Sequence, residues 1–124
     1  MSTIKRFEDI EAWKEARSLS YEIYLCFKNV KDFSFRDQIC RASISVMNNI
    51  AEGFERDADG DFQRFLKIAK GSSGEIRSML WIAEDLKIID KKTAEDFRNK
   101  TILISSKLAL FIKYLNSAKK KNNN

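Results

Sequence analysis

The chain has 124 residues, a net charge of +5, no proline and no histidine. Its length fits one domain, its 44% hydrophobic content argues against disorder, and its four glycines are too few for a sheet-rich fold with many tight turns. Without histidine it lacks the commonest general base and metal ligand, and it has no apolar run of membrane-span or signal-peptide length, so we expect a cytoplasmic, non-enzymatic protein with no metal or cofactor.

Apolar residues recur every three or four positions in four segments, a spacing that predicts four helices. The segments cover about residues 9–29, 35–56, 61–87 and 91–117. The linkers between them are short, so helices adjacent in sequence should be antiparallel. We therefore predict an all-α fold, an up-down-up-down four-helix bundle that forms a single domain over residues 1–124, with residues 118–124 as a frayed tail.

Capping residues mark the start of three of these helices. Ser34 is the expected N-cap of the second helix, with Asp37 in the capping-box position three residues later. Asp59 or Asp61 should cap the third helix, and Asp90 the fourth.

The second helix has two contrasting faces. Its apolar face carries Ile39, Val46, Met47, Ile50 and Phe54. Its polar face carries Asp37, Gln38, Arg41, Ser45, Asn48, Asn49 and Glu52. A solvated face normally carries lysine and glutamate, whereas these are mostly groups that make directed hydrogen bonds.

Four interpretations of the polar face remain open, one of which is the binding of a ligand of unknown type. The face is otherwise an ordinary exposed face with local pairs such as Arg41–Ser45, or a hydrogen-bonded seam within the bundle or between protomers, with Glu75 as a further member. The third interpretation is a catalytic pair of Glu52 and Glu75, but no histidine or obvious nucleophile accompanies the two carboxylates. The apolar arc of this helix, which extends from Ala42 to Ile44 around the wheel, is wider than one bundle core needs and indicates an interface.

The third helix carries an unusual glycine pair and a basic arc. Gly71-Ser-Ser-Gly74 indicates either a close approach of two helices or, less in keeping with its context, a phosphate-cradling loop without the preceding strand or following lysine. Lys67, Lys70 and Arg77 share one arc, with Arg64 at its edge. This arc is either a solvated face or a phosphate-binding patch, to which Lys119, Lys120 and Lys121 of the tail would add charge.

Two pairs of residues have simpler interpretations. Cys26 and Cys40 match neither a disulfide framework nor a metal motif and are expected to be half-buried. Trp13 and Trp81 are expected to anchor the core or an interface.

Several motifs together resemble a known family of bacterial four-helix bundles. They are Phe7…Trp13…Ala16, Gln38-Ile-x-Arg41-Ala, Asn49-Ile-Ala-Glu-Gly53, Phe62…Phe65-Leu-x-Ile-Ala and Gly71-Ser-x-x-Glu75. Members of this family are often labelled 23S rRNA intervening-sequence proteins, and the resemblance covers about residues 4–116. The chain lacks the proline that the resemblance leads us to expect near residues 30–32.

The resemblance implies an antiparallel bundle that assembles into a ring-like homopentamer. The family is also similar to the accessory variability protein of diversity-generating retroelements, a pentameric basic bundle that associates with a reverse transcriptase and nucleic acid. Two function classes follow. One is a basic accessory protein that binds RNA or DNA, and the other is a self-assembling scaffold or adaptor whose partner is another protein, with no nucleic-acid role.

Overall fold

The computed structural model describes the backbone of residues 4–122 and the side chains of residues 4–118. A short 3-10 turn, Phe7–Asp9, precedes four α-helices. They are α1 (Glu11–Phe27), α2 (Phe33–Glu55), α3 (Asp59–Asp85) and α4 (Lys91–Asn122). No strand occurs among residues 4–122, so the prediction of an all-α four-helix fold is confirmed.

The four helices form a closed ring of neighbours. α2 packs against α1 and α3, and α4 packs against α3 and α1, which leaves α1 diagonal to α3 and α2 diagonal to α4. Ion pairs between α1 and α4 show that these two helices run in opposite directions, because Glu15 pairs with Lys107 while the later Glu22 pairs with the earlier Lys100. Four clefts therefore separate neighbouring helices on the bundle surface.

The bundle core is built from the predicted apolar positions. Ile23, Ile50, Ile76 and Leu108 contribute one fully buried side chain from each helix. At about 25 cal/mol per Å² of buried apolar surface, each such side chain favours folding by about 1.5–3 kcal/mol. Small hydroxyls join the helices within this core, as where Ser20 and Ser43 share a hydrogen bond of 3.0 Å.

Gly53 allows a close approach of α2 and α3. A Cβ at this position would lie 2.6 Å from the Cβ of Phe65, well inside van der Waals contact. Only glycine therefore lets α2 pack this closely against α3.

The helix ends differ in part from the sequence expectation. α2 begins two residues early, because Asp32 rather than Ser34 is its N-cap and accepts the backbone N–H of Phe35 at 3.1 Å. Asp37 pairs with Arg36 instead of completing a capping box. Asp90 caps α4 as expected, through the backbone N–H of Thr93 at 2.7 Å.

The start of α3 and the end of α4 also depart from expectation. Ala58 precedes α3, and its side chain makes no capping bond. Asp59 and Asp61 lie inside the first turn, where their charge favours the helix N-terminus without capping it. α4 continues through residues 118–122 instead of fraying, because alanine and lysine favour helix and no proline or glycine stops it. Residues 123 and 124 of the expected tail lie outside the described part.

The apolar surface expected beyond the core is partly covered within the bundle. On α2, Ala42 is buried and Ile44 and Ala51 are half-buried, so an interface along the rest of the wide apolar arc stays a prediction. Trp13 is a core residue, but Trp81 is 55% exposed and cannot be a core anchor of a single chain. In the described part of the chain, no helix combines the length and apolarity needed to cross a membrane.

Candidate functional site

The polar face of α2 contributes three residues to a hydrogen-bonded seam with α3. The side-chain amide of Gln38 donates to Glu75 over 3.2 Å. Ser45 and Ser72 share a hydrogen bond of 2.9 Å. Asn49 donates to both the carbonyl oxygen (2.8 Å) and the hydroxyl (3.0 Å) of Ser45, which holds that serine in place. The seam lies within one chain and joins α2 to α3.

The other residues of this face are exposed and lie beside the seam. Arg41 and Asn48 are exposed, and Glu52 pairs with Arg56 of its own helix at 3.2 Å. Glu52 and Glu75 thus have different hydrogen-bond partners.

Three of the predicted basic residues line one cleft between α3 and α4. Lys67, Lys70 and Arg77 border a cleft of about 580 Å³, with Ser105 and Ser106 on the α4 side. None of the residues that line this cleft is acidic. Among residues 4–118, no carboxylate forms an ion pair with these three cations. Their positive charge is therefore available to an anion from solution.

Gly71 and Gly74 form part of this cleft and do not serve helix packing. A Cβ at either position would meet no atom within 4 Å, so the expected close approach of helices is absent here and occurs instead at Gly53. Ser72 bonds to Ser45, and Ser73 donates to the carbonyl of Thr101 at 3.0 Å. The serines join helices, while the two glycines leave the cleft floor without side chains.

The remaining predicted basic residues are placed differently. Arg64 lies outside the cleft, where its guanidinium approaches Asp61 at 3.8 Å and lies 4.5 Å from the ring centroid of Phe65. Lys119, Lys120 and Lys121 belong to the last turns of α4, and their side chains lie outside the described residues.

A second basic cleft, between α1 and α2, was missed by the sequence analysis. Tyr24 of α1 and Lys28, which directly follows α1, line this cleft of about 500 Å³ together with Arg36 and Arg41 of α2. Asp37 also lines it, so three cations there face one carboxylate. The only local sequence signal for this cleft was the spacing of Tyr24 and Lys28, an aromatic residue four positions before a lysine. Arg36 and Arg41 belong to the next helix, α2. Their proximity to Tyr24 depends on how α1 and α2 are rotated about their axes when they pack.

The two other clefts between neighbouring helices carry balanced charge. Glu15, Glu22 and Lys100 line the α1–α4 cleft, where Lys100 pairs with Glu22, and Lys107 outside the lining pairs with Glu15. Arg41 and Glu75 both line the α2–α3 cleft. At the end of the bundle where α2 turns into α3, a further cleft has the opposite character, because Glu55, Asp57 and Asp59 line it. Positive charge is thus concentrated in the α1–α2 and α3–α4 clefts.

The described residues offer little for metal or nucleophilic chemistry. Among residues 4–118, no three side chains of the cysteine, aspartate and glutamate type come together as a metal site. Burial raises the pKa of the Cys40 thiol, an effect that Asp37 reinforces and Arg36 opposes. Burial, with a contribution from Asp90, also raises the pKa of Cys26. Both thiols therefore stay protonated near neutral pH and are poor nucleophiles.

Comparison with known proteins agrees with this architecture. The family described as 23S rRNA-intervening sequence protein matches residues 8–110, which is most of the chain. A crystal structure of a protein with unknown function from the S23 ribosomal protein family of Bacteroides thetaiotaomicron matches with a TM-score of 0.77 and 24% identity, over 82% of this chain and 98% of that one. At that identity the likeness establishes the fold alone. No curated protein sequence matches the chain, and neither description names an enzymatic activity.

Proposed function

The chain belongs to the 23S rRNA-intervening sequence protein family, and we propose that it is a non-enzymatic accessory protein that binds nucleic-acid phosphates in the α3–α4 cleft. The observation that carries this proposal is the convergence of Lys67, Lys70 and Arg77 on one cleft with no acidic residue in its lining. Because phosphate contacts position a backbone without reading bases, we expect binding with little sequence preference.

The shape of the cleft supports a phosphate as its occupant. Gly71 and Gly74 have no side chain, so a bulky anion can approach the α3 backbone closely. Ser106 on α4 adds a hydroxyl group that can donate a hydrogen bond to a phosphate oxygen, whereas the Ser105 hydroxyl already donates to Ser73 at 2.9 Å. Arg64 contributes less to this surface because Asp61 already partners it. The lysines of the α4 extension, Lys119 to Lys121, would add charge at the end of the bundle.

A binding titration tests the proposal. Labelled duplex RNA and duplex DNA are titrated with the protein, and the affinity is measured by fluorescence anisotropy between about 50 and 200 mM salt. We expect the affinity to fall steeply with salt. The triple variant Lys67→Glu, Lys70→Glu, Arg77→Glu should bind the duplexes about a hundredfold more weakly at the low-salt end.

A control variant separates the cleft from overall charge. Lys87→Glu, Lys91→Glu, Lys92→Glu makes the same change in net charge at exposed positions in the turn after α3 and the first turn of α4, outside the cleft. We expect this control to bind almost as well as the parent. Equal loss in both triple variants would show that net charge alone is responsible, and no binding by the parent at low salt would overturn the proposal.

The alternative function is a self-assembling scaffold or adaptor, and exposed apolar side chains favour it. Leu110 of α4 is 68% exposed, Tyr21 of α1 is 67% exposed, and Leu86, which directly follows α3, is 60% exposed. Exposed apolar side chains mark a protein interface where they form a contiguous patch. The protein partner that the family resemblance suggests, besides further copies of the chain, is a reverse transcriptase.

Light scattering tests the assembly. We propose a homopentamer, with a mass of 5 × 14.4 = 72 kDa. A single species near that mass would support assembly, and a stable monomer at micromolar concentration would contradict it. Assembly without any nucleic-acid binding would leave the scaffold function as the remaining one.

A further inference from the structure

The α1–α2 cleft differs from the α3–α4 cleft in containing an aromatic side chain. Tyr24 is 46% exposed and lies at the edge of the cleft beside Ile44 and the buried Cys40. No aromatic residue lines the α3–α4 cleft. The α1–α2 cleft therefore combines a flat apolar surface with charge, whereas the other cleft offers charge and hydroxyl groups.

The cations of the α1–α2 cleft are partly committed within the chain. Arg36 donates from Nε to Asp37 at 3.1 Å, and its guanidinium carbon lies 4.6 Å from the ring centroid of Phe33. Within residues 4–118, neither Lys28 nor Arg41 forms an ion pair. The Arg36 side chain is thus fixed by contacts within the chain, whereas Lys28 and Arg41 are available to an external anion.

The two basic clefts lie on opposite sides of the bundle. α1 is diagonal to α3 and α2 is diagonal to α4, so the α1–α2 and α3–α4 clefts face away from each other. One stretch of rigid duplex cannot enter both clefts of the same chain. The two clefts are free to hold different parts of a nucleic acid.

We propose that the α1–α2 cleft binds an unpaired nucleotide, whose base stacks on Tyr24 and whose phosphates contact Lys28 and Arg41. Inside a duplex the bases are stacked on one another and their faces are covered, so a tyrosine in a cleft can stack on an unpaired base but not on an internal base pair. Stacking is tolerant of sequence, because every base has a π-face. The inference rests on the proposed nucleic-acid function and assigns unpaired strand to this cleft and duplex backbone to the other.

The test compares single-stranded and duplex oligonucleotides of the same length with variants of Tyr24. Tyr24→Ala should weaken binding of the unpaired strand about five- to hundredfold and leave duplex binding unchanged. Tyr24→Phe keeps the ring and should bind the unpaired strand nearly as well as the parent. The double variant Lys28→Glu, Arg41→Glu should also weaken single-strand binding, and its loss of affinity should be larger at low salt than at high salt.

The outcomes separate this inference from the proposed function. If the parent binds neither oligonucleotide, the proposed function itself fails. If the parent binds both and Tyr24→Ala lowers both affinities equally or neither, the inference is overturned while phosphate binding in the α3–α4 cleft stands. If Tyr24→Ala instead changes the mass measured by light scattering, the cleft is an interface between copies, which also overturns the inference. Tyr24 is half exposed, so the variant should fold, and circular dichroism checks this.

Discussion

The guanidinium of Arg98 lies 3.7 Å from the ring centroid of Trp81, across the interface between α4 and α3. The same guanidinium pairs with Glu84 at 2.8 Å, although the Arg98 side chain is only 7% exposed. An arginine stacked on an indole gains a cation–π attraction that is stronger when water is excluded. Trp81 therefore has its inner face covered by Arg98, which explains how an exposed tryptophan is held on the bundle surface.

Loss of the buried charge pair should destabilise the fold more than loss of an exposed one. Arg98→Met leaves the partly exposed Glu84 without its partner, and we expect a decrease of about 2–3 kcal/mol in the free energy of unfolding. Lys92→Met is the control, because it breaks an exposed pair with Asp96 and should change the free energy of unfolding far less. Urea unfolding measures both. Equal losses would show that Arg98 contributes no more than a surface cation.

Replacement by alanine should lower the stability of the fold at Gly53 and raise it at Gly71 and Gly74. Gly53→Ala places a methyl group against Phe65, and we expect the free energy of unfolding to fall by about 1–3 kcal/mol. Gly71→Ala and Gly74→Ala add a methyl group in open space within a helix, and each should raise it by about 0.5–1 kcal/mol. Thermal and urea unfolding of the three single variants check these signs. A loss of stability in Gly74→Ala would point to a packing role that is absent from the single chain.

Helical periodicity was enough to predict the four helices and most of the core. Ile50 and Leu108 lie at positions where a spacing of three or four residues continues without interruption, and both are fully buried. Asp90 was a clear cap because no other capping residue lies next to it. At the start of α2, both Asp32 and Ser34 can cap a helix, and spacing alone does not decide between them.

The contacts that define the clefts could not be predicted from local sequence. Gln38 and Glu75 are 37 positions apart, and their hydrogen bond depends on the rotation of α2 and α3 about their axes. Lys28 follows α1 and Arg36 lies on α2, so the pattern along a single helix does not predict that both line one cleft. The basic arc of α3 was predictable because Lys67, Lys70 and Arg77 share one face of a single helix.

Acid should weaken the start of α4 through its cap. Hydrogen bonds from Thr93 lower the pKa of Asp90 below its usual value of 3.8. A carboxyl group whose pKa is lower in the folded state than in the unfolded state stabilises the folded protein. This contribution is fully present at pH values above the unfolded-state pKa, and it is lost as the pH falls through the folded-state pKa. Asp90→Asn keeps a capping oxygen but cannot titrate.

Melting temperatures across the acidic range measure this effect. As the pH falls below 3.8, the melting temperature of the parent should decrease more than that of Asp90→Asn. Near neutral pH the two proteins should have similar melting temperatures. Asp85→Asn, which removes an exposed carboxylate from the end of α3, should follow the parent. Identical acid profiles for the parent and Asp90→Asn would show that the cap does not contribute.

The salt dependence of duplex binding should count the phosphate contacts of the α3–α4 cleft. If Lys67, Lys70 and Arg77 each neutralise one phosphate, the logarithm of the affinity for B-DNA should fall with the logarithm of salt concentration with a slope of about −2.7 for each cleft engaged. Lys70→Gln should reduce the magnitude of that slope by about 1 per cleft, without changing sequence preference. Arg64→Gln should change it less, because Asp61 already partners Arg64. An assembly that engages several clefts would multiply the slope, so the mass in solution must be measured under the same conditions. If Lys70→Gln and Arg64→Gln leave the slope equally unchanged, the contacts lie elsewhere and the α3–α4 cleft is not the binding surface.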